Sequence, residues 1–485
     1  MPKPVETVVA TVDTLPVTYK TSEQGAEEVP LSVHETELAA QRELMSMLRL
    51  VDSGRVAVSA KTYRPSAATI DAVTALLEDG EYYQPVIPVD EWSDVNAGPI
   101  RAFAWPILLQ AGGFAEISGA RLQLTKAGRK ALSEPPAESL RLLWGKWQRN
   151  TLFDELSRVE CVKGQTGKGK QGLTALAGRR EDVAESLAEC PVGKWIATNN
   201  FFRYMQATEN EVVVSRDPWS LYIGELQYGS LGYEGGDEAL TESYVMALLL
   251  EYAATLGMID VALVPPAGAR DEFRGLWGTD DLPFFSRYDG LIYFRLTALG
   301  AYCLGVATGY EAPAVAVKRV LTVLPTLEIE ASPEIEKGDF LALNVYALQM
   351  GDFVWRLDGG QLLSAIESGR TVEEIRTFLE ARCAGRLPME ATRLLDDVGE
   401  RVTSVRDGGA ARLIECVSAE LAAQIAGRMP TRKHCRLVGE RLLVVPAASE
   451  AAFRKGLREM GYLLSAEGRG GKVAVSGRKG GDQGK

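Results

Sequence analysis

The sequence predicts an α+β chain made of several modules, and three observations support this fold class. The chain has 485 residues, more than one hydrophobic core usually organises at about 100–200 residues per domain. A unit with the order helix, strand, strand, helix occurs twice, at residues 113–132 and 257–304. The last third adds strands and helices with turn signals of their own. Together these features predict tandem modules, each with helices and a small hairpin.

The first module begins with an amphipathic helix in which Leu38, Leu44 and Leu48 lie at helical spacing and which Gly54 ends. A short strand follows at residues 55–59, and Ser66 is placed to cap a second helix. A third helix is predicted at residues 100–111, directly before the two strands.

Both copies of the repeated unit carry the pattern Leu-Thr-x-x-Gly-x-x-x-Leu, with Thr125 and Thr297 at equivalent positions. Threonine is a favoured N-cap, so each is predicted to start the helix after the hairpin. The glycines Gly128 and Gly300 allow that helix to approach the hairpin closely. This arrangement resembles the winged-helix fold, a helix-turn-helix with a β-hairpin wing. Because many winged helices bind only proteins, the resemblance implies the fold more strongly than DNA binding.

The last third of the chain also contains recognisable elements. Thr371-Val372-Glu373-Glu374 is a capping box, and residues 401–405 and 412–417 are predicted to form a hairpin around Asp407-Gly408-Gly409. A second resemblance is carried by residues 324–329, 371–379, 387–388, 414–416, 441–446 and 457–462. These segments resemble the N-terminal domain of XPB-type helicases, which lies beside a DNA-dependent ATPase and engages DNA or partner proteins. The sequence departs from that family because it carries no helicase motor.

The predicted organisation has five parts. They are a flexible tail at residues 1–30, a winged-helix-like domain at 31–150, a second with a long hairpin insertion at 151–320, a small α/β XPB-N-terminal-like domain at 321–466, and a basic disordered tail at 467–485.

Charge is unevenly distributed along the chain. The net charge is −12, which disfavours non-specific coating of nucleic acid. The segments 121–149 and 163–180 are nevertheless rich in Lys and Arg, and residues 61–69 precede or open a helix where side chains can reach phosphates. The candidate DNA-binding residues are therefore Lys61, Arg64, Thr69, Arg121, Lys126, Arg129, Lys130, Lys163, Lys168, Lys170, Arg179 and Arg180.

The segment from Gly164 to Lys170 is close to a Walker A loop, but Gln171 occupies the position of the Mg²⁺-binding hydroxyl. We therefore expect no ATPase, and interpret the segment as a basic loop that contacts phosphate or as an ordinary surface loop.

The remaining chemistry in the sequence is sparse. The six cysteines are scattered and there are two histidines, His34 and His434. This supplies neither a zinc site nor a histidine-dependent nucleophile. We expect no metal and no cofactor. No apolar stretch is long enough to span a membrane, so we expect a cytoplasmic protein.

The sequence favours a non-catalytic DNA-binding or helicase-accessory protein in DNA repair or mobile-element defence, with DNA and a helicase or nuclease as partners. One alternative is a protein–protein scaffold whose winged helices do not bind DNA. A second is an enzyme with a degenerate nucleotide site.

Overall fold

The computed structural model describes residues 9–20, 28–83, 87–88, 94–95, 97–208, 212–270, 273–280, 282–313 and 319–465. Within these ranges, helices alternate with short strands that pair antiparallel in small sheets of two to four strands. This mixture of helices and small antiparallel sheets agrees with the predicted α+β class.

The chain forms two compact units, residues 1–398 and 399–485. In the first unit, one large core takes residues between Val9 and Leu341, and a second core takes residues between Leu321 and Val398. The other unit has its own small core. The large core continues across the predicted domain boundary at residue 150, because helices from both sides contribute to it.

The first half of the first unit contains β1 (Thr18–Lys20), β2 (Glu28–Pro30), β3 (Ser32–His34), α1 (Glu37–Asp52), α2 (Ala67–Thr74), β4 (Ile87–Pro88), β5 (Asp94–Val95), α3 (Arg101–Ala111), β6 (Ala115–Ser118), β7 (Arg121–Leu124), α4 (Lys126–Ala131) and α5 (Pro136–Arg149). It continues with a 3₁₀ turn (Glu155–Arg158), α6 (Lys168–Gly172), α7 (Leu176–Ala188), β8 (Trp195–Ala197), α8 (Thr198–Ala207), a 3₁₀ turn (Pro218–Ser220), α9 (Gly236–Ala247), a π-helical turn (Leu248–Ala253), β9 (Ile259–Leu263), β10 (Leu291–Leu296) and α10 (Ala298–Cys303).

The end of the first unit contains β11 (Leu321–Val323), β12 (Glu328–Ala331), α11 (Lys337–Tyr346), β13 (Leu348–Gly351), β14 (Val354–Arg356), α12 (Gly359–Glu367), α13 (Val372–Arg382) and α14 (Met389–Ser404), whose last residues belong to the next unit. The second unit then contains β15 (Ala411–Glu415), α15 (Ala419–Gly427), β16 (Arg436–Leu437), β17 (Leu442–Pro446), a 3₁₀ turn (Ala447–Ser449) and α16 (Glu450–Glu459).

The first copy of the repeated unit has the predicted order, α3, β6, β7, α4. Thr125 caps α4, since its Oγ1 accepts a hydrogen bond from the Gly128 amide at 3.2 Å. The same hydroxyl donates to the Gly113 carbonyl at 2.7 Å. A Cβ on Gly128 would lie 2.1 Å from the Phe114 carbonyl oxygen. Glycine is therefore required for α4 to lie this close to the hairpin.

The second copy, α9 with its π-helical turn, β9, β10 and α10, repeats these contacts. Thr297 Oγ1 accepts from the Gly300 amide at 2.9 Å and donates to the Gly257 carbonyl at 2.8 Å. A Cβ on Gly300 would lie 2.0 Å from the Met258 carbonyl oxygen. The helix–strand–strand–helix order of both copies is thus confirmed.

Each copy also has a third strand and two earlier helices. In the first copy, Ala57 lies between α1 and α2 in the chain and pairs antiparallel with Arg121 of β7. In the second copy, β8 lies between α7 and α8 and pairs antiparallel with β10. Both copies therefore follow the order helix, strand, helix, helix, hairpin, and β3 extends the sheet of the second copy at its outer edge.

The N-terminal residues differ from the predicted flexible tail. Val9 is buried in the large core, and β1 pairs with β2. The Val12 amide donates to the Trp195 carbonyl at 2.8 Å. Residues 9–20 and 28–30 are thus part of the fold, whereas the predicted tail at 467–485 lies outside the described residues.

Residues 319–398 surround the sheet β11-β12-β14-β13, with Trp355 fully buried at its centre. Thr371 caps α13 by accepting from the Glu374 amide at 3.1 Å, as the capping box predicts. Asp339 on α11 accepts from Arg49 of α1 and Arg382 of α13, at 2.7 and 2.5 Å. The Asp339 carboxylate therefore links residues 319–398 to the helix α1.

The hairpin predicted at residues 401–405 and 412–417 is wrong. Residues 401–404 are the last turn of the helix α14, whose buried positions Ala391, Leu395 and Val398 lie at helical spacing. Residues 411–415 do form a strand, β15, but it pairs with β17 and not with residues 401–405. Residues 442–446 form the strand β17, and α16 is the last helix of the described part of the chain.

Candidate interaction surface

Two of the candidate DNA-binding residues, Arg179 and Arg180, are buried and paired. Arg180 is 1% exposed, and its Nε donates to Glu155 at 2.9 Å. Arg179 donates to Asp154 at 2.8 Å. Both acidic partners lie 25 residues earlier in the chain, so the sequence-local excess of positive charge does not persist in the fold. The prediction that these two arginines face DNA is wrong.

Thr69 is also buried and has a structural role. Its hydroxyl donates to the Ala57 carbonyl and accepts from the Ala57 amide, both at 2.8 Å. The side chain thereby joins α2 to the strand segment before it and has no access to a base edge. Arg64 is half-buried and its guanidinium donates to Ser157 Oγ at 3.2 Å, while Lys61 is exposed.

The candidates on the first hairpin and α4 are on the surface but partly engaged. Arg129 donates to the Ser368 carbonyl at 2.9 Å, and Lys130 forms an ion pair with Glu134. Arg121 donates to the Gly54 carbonyl at 2.9 Å, and Lys126 is exposed. These contacts reduce the positive charge that this face offers to a phosphate backbone.

The Walker-like segment does not have the surroundings of a phosphate loop. It follows a 3₁₀ turn, Glu155–Arg158, where a Walker loop follows a buried strand. The Gln165 amide donates to the carbonyls of Leu156, Val159 and Val162, which ties the segment to that turn. Lys163, Lys168 and Lys170 remain exposed.

The third helix of each repeat copy points inward. All eleven residues of α3 are buried, including Arg101 and Gln110, whose side chains form hydrogen bonds within the fold. In α9 the exposed side chains are Asp237 and Glu238, both in the first turn. A helix that reads DNA must present an open face to the major groove. Neither helix does so, and the acidic pair would repel phosphates.

The most distinctive surface lies in the connections around α9. Five large apolar side chains there are between 49% and 56% exposed. We call them the aromatic surface: Trp219, Leu226, Tyr228, Tyr233 and Trp277. Exposed apolar residues are ordinary when single, but a cluster of this kind marks a binding surface.

The aromatic rings form two contacting pairs. Trp219 and Tyr233 meet edge to face at a centroid distance of 5.1 Å, and Tyr228 lies 5.5 Å from Trp277. Gly232 lies against the Trp219 ring, where a Cβ would come within 2.3 Å of a ring atom. The Trp219 ring is therefore held on one side and open on the other.

Backbone and hydroxyl contacts fix the segment that carries these rings. The Ile223 amide donates to the Gly229 carbonyl at 2.9 Å, and the Leu231 amide donates to the Leu221 carbonyl at 2.8 Å. Ser230 Oγ donates to the Trp219 carbonyl at 3.0 Å. Because these contacts order the loop before any partner arrives, binding would cost little conformational entropy.

Charged residues of both signs surround the aromatic surface. The segment that carries Lys163, Lys168 and Lys170 adjoins this surface, because the Lys163 amide donates a hydrogen bond to the Tyr222 carbonyl at 2.7 Å. Exposed carboxylates of the same segments are Glu225, Glu234, Asp237, Glu238 and Asp280. An apolar centre within a polar rim is the usual anatomy of a protein–protein interface.

Sequence reasoning missed this surface, although a signal was present. Trp219, Tyr228 and Tyr233 lie among glycines, prolines and acidic residues with neither helical nor strand periodicity. Aromatic residues outside any periodic stripe have no core face to join. By contrast, Trp144 and Trp147 of the amphipathic helix α5 are buried, while Trp195 is half-buried with the Arg295 guanidinium over its ring.

The acidic groups beneath this region are unusual in their burial. Asp289 accepts from the amides of Phe285 and Ser286 at 2.8 and 3.1 Å, and burial raises the pKa of its carboxyl to about 6. Burial likewise raises the pKa of the Glu155 carboxyl, against the opposing effect of Arg180. Asp289 lines a small cavity of about 110 Å³ together with Glu242 and Arg270, and its hydrogen bonds hold the backbone at residues 285–286 in place.

Comparison with protein-family models finds no match, and a search of curated proteins finds none with significant similarity. Within the described residues, no cluster of His, Cys, Asp or Glu could hold a metal ion. No helix in the described part of the chain is both long and apolar enough to cross a membrane.

Proposed function

We propose that this chain is a non-catalytic scaffold that binds a partner protein through the aromatic surface. The observation that carries the proposal is the clustering of four half-exposed rings, including Trp219 and Trp277, on an ordered loop. Tryptophan and tyrosine dominate the energetic centres of protein interfaces because they bury a large area with few rotatable bonds.

We further propose that both repeat copies have a winged-helix-like fold in which the third helix serves internal packing. The burial of α3 and the acidic first turn of α9 favour this role over base recognition. The scaffold function, the alternative to DNA binding that the sequence left open, is the one that the geometry supports best.

A helicase-accessory context remains part of the proposal through the likeness of residues 321–466 to XPB-type helicases. Such a context makes a helicase or nuclease the first class of partner to test. Repair and mobile-element defence are the pathways to which that resemblance points.

Site-specific photo-crosslinking in cells that express the full chain tests the proposal. A photoreactive residue at Tyr228 should give a discrete adduct with a partner protein, and Trp219→Ala should reduce its yield at least tenfold, since loss of an aromatic anchor costs about 2 kcal/mol or more. The matched control places the same residue at Val306, which is 52% exposed in the same unit. Adducts of equal yield from both positions, or none from Tyr228, would contradict the proposal.

A further inference from the structure

The solvent face of α5 carries three positive side chains that the aromatic surface does not include. Arg141, Lys146 and Arg149 are exposed and lie on the same side of the helix. At a rise of about 1.5 Å per residue, Arg141 and Arg149 are about 12 Å apart along the helix axis. They line an open groove of about 680 Å³ between α5 and the end of α3.

Of these three cations, Arg141 is partly compensated, because its hydrogen bond with Tyr302 and the nearby Glu138 carboxylate raise the pKa of its guanidinium. Within the described residues, none of them forms an ion pair with a carboxylate. The one carboxylate that lines the groove, Glu138, accepts from the Tyr302 hydroxyl at 2.6 Å. Arg141 stacks on the same tyrosine ring at 4.4 Å, which holds its guanidinium over the groove. Several arginines of this acidic chain are held in buried ion pairs, whereas the cations of this face are open to solvent.

The floor of the groove allows a close approach. Gly113 and Gly145 contribute no side chains, and a Cβ on Gly145 would meet nothing within 4 Å. Leu142 is exposed beside them, but no aromatic ring lines the groove. The surface thus offers charge and access without a platform on which bases could stack.

We propose that this α5 face binds the phosphate backbone of a nucleic acid. Two guanidinium groups and one ammonium match phosphate oxygens. The Asn150 amide, which also lines the groove, donates to the Ala111 carbonyl at 3.2 Å and accepts from the Leu152 amide at 2.6 Å, so we expect contacts that do not depend on sequence. The excess of positive side chains in the groove complements a polyanion. This site is separate from the aromatic surface and stands without it.

The affinity should be modest and strongly dependent on salt, because the net charge of −12 opposes long-range attraction. Three phosphate contacts give a slope of about −2.7 in log K against log salt, or a loss of about 40-fold between about 50 and about 200 mM salt.

Fluorescence anisotropy of the full chain with duplex and single-stranded DNA over that salt range tests the proposal. Replacing Arg141, Lys146 and Arg149 together by Gln should abolish most binding at low salt and flatten the slope for all sequences alike. The variant with Arg141→Lys and Arg149→Lys keeps the charge and should retain the slope. Circular dichroism of each variant establishes that α5 still folds, since cations also stabilise a helix C-terminus.

A second triple variant, Lys163→Gln with Lys168→Gln and Lys170→Gln, makes the same change in net charge. It should keep the wild-type slope, because those lysines lie outside the groove. Equal losses in both triple variants, or loss only in the lysine variant, would overturn the proposal. Undetectable binding by the wild type at about 50 mM salt would also overturn the proposal. The same holds if an acidic peptide of equal charge displaces the labelled DNA at a lower concentration than unlabelled DNA does.

Discussion

At the scale of single residues, buried ion pairs decide where the positive charges of this chain can act. Arg180 is held by Glu155 and Arg158 by Glu251, with both carboxylates fully buried. Removing one partner of such a pair leaves the other charge buried and unpaired. The free-energy cost of that unpaired charge is larger than the net stabilisation that the intact pair provides. The basic stretch near residue 180 therefore contributes to stability and not to a surface.

Glu155→Gln should strongly destabilise the first unit. The substitution keeps the shape of the side chain but leaves Arg180 uncompensated, at a cost of about 3–5 kcal/mol. The control is Glu134→Gln, which removes an ion pair with Lys130 in which the lysine and carboxylate side chains are 72% and 36% exposed. That change should cost about 0–1 kcal/mol. Urea midpoints from tryptophan fluorescence measure both, and similar shifts for the two variants would contradict the assignment.

Asp289 should make stability depend on pH in an unusual direction. Burial raises the pKa of its carboxyl from the ordinary 3.8 to about 6 in the folded state, so the folded state favours the protonated carboxyl. Its contribution is therefore complete below about pH 4 and is lost as the pH rises through about 6.

Asp289→Asn mimics the protonated form and should gain stability relative to the wild type as the pH rises from about 4 to about 7. A shift of about two pKa units corresponds to about 3 kcal/mol. Urea midpoints of both proteins across this range measure the difference. A difference that stays constant with pH would show that Asp289 does not titrate in this range.

Residue identity alone could not predict these pairs. Acidic residues follow Arg179 and Arg180 in the sequence, but the two arginines form ion pairs with Asp154 and Glu155, which lie 25 residues earlier in the chain. Sequence shows charge density along the chain, whereas the fold determines which charges meet. The threonine caps were predictable because a cap depends on residues three positions apart.

At the scale of secondary-structure elements, the repeated unit explains why two distant segments share a pattern. Thr125 and Thr297 each connect a helix start to the carbonyl of the glycine before the hairpin. The order of the elements was predictable because turn and cap signals are local. The burial of α3 from every side was not, since an apolar helix of eleven residues does not reveal which elements cover it.

Gly128→Ala and Gly300→Ala should destabilise the chain to similar degrees. In each case the new methyl would lie about 2 Å from a carbonyl oxygen of the hairpin, and such overpacking costs about 1–3 kcal/mol. Gly145→Ala is the control, because α5 has open space there and alanine favours a helix by about 1 kcal/mol.

Thermal unfolding followed by circular dichroism distinguishes these three variants. The first two should unfold at lower temperature than the wild type, and Gly145→Ala at the same or a higher temperature. A destabilising effect of only one of Gly128→Ala and Gly300→Ala would mean that the two copies are not equivalent in packing.

At the scale of the whole molecule, the chain combines inward-facing third helices with an outward-facing aromatic loop. The large core runs through both repeat copies, so they act as one body within the first unit. The hairpin predicted around residue 407 did not form because residues 401–404 belong to α14 and residues 411–415 pair with β17. The aromatic surface was not predicted, since exposure is a property of the assembled fold.

Hydroxyl-radical footprinting tests most directly the claim that the aromatic surface binds a partner protein. It is carried out on the full chain alone and in complex with the protein that crosslinks to the photoreactive residue at the position of Tyr228. In the free chain the aromatic surface should be oxidised rapidly, while the buried Trp105, Trp144 and Trp147 should be oxidised slowly. With the partner bound, protection should appear at Trp219, Tyr228, Tyr233 and Trp277. Rapid oxidation of Trp105 in α3, or an unchanged pattern at the aromatic surface in the complex, would contradict the account.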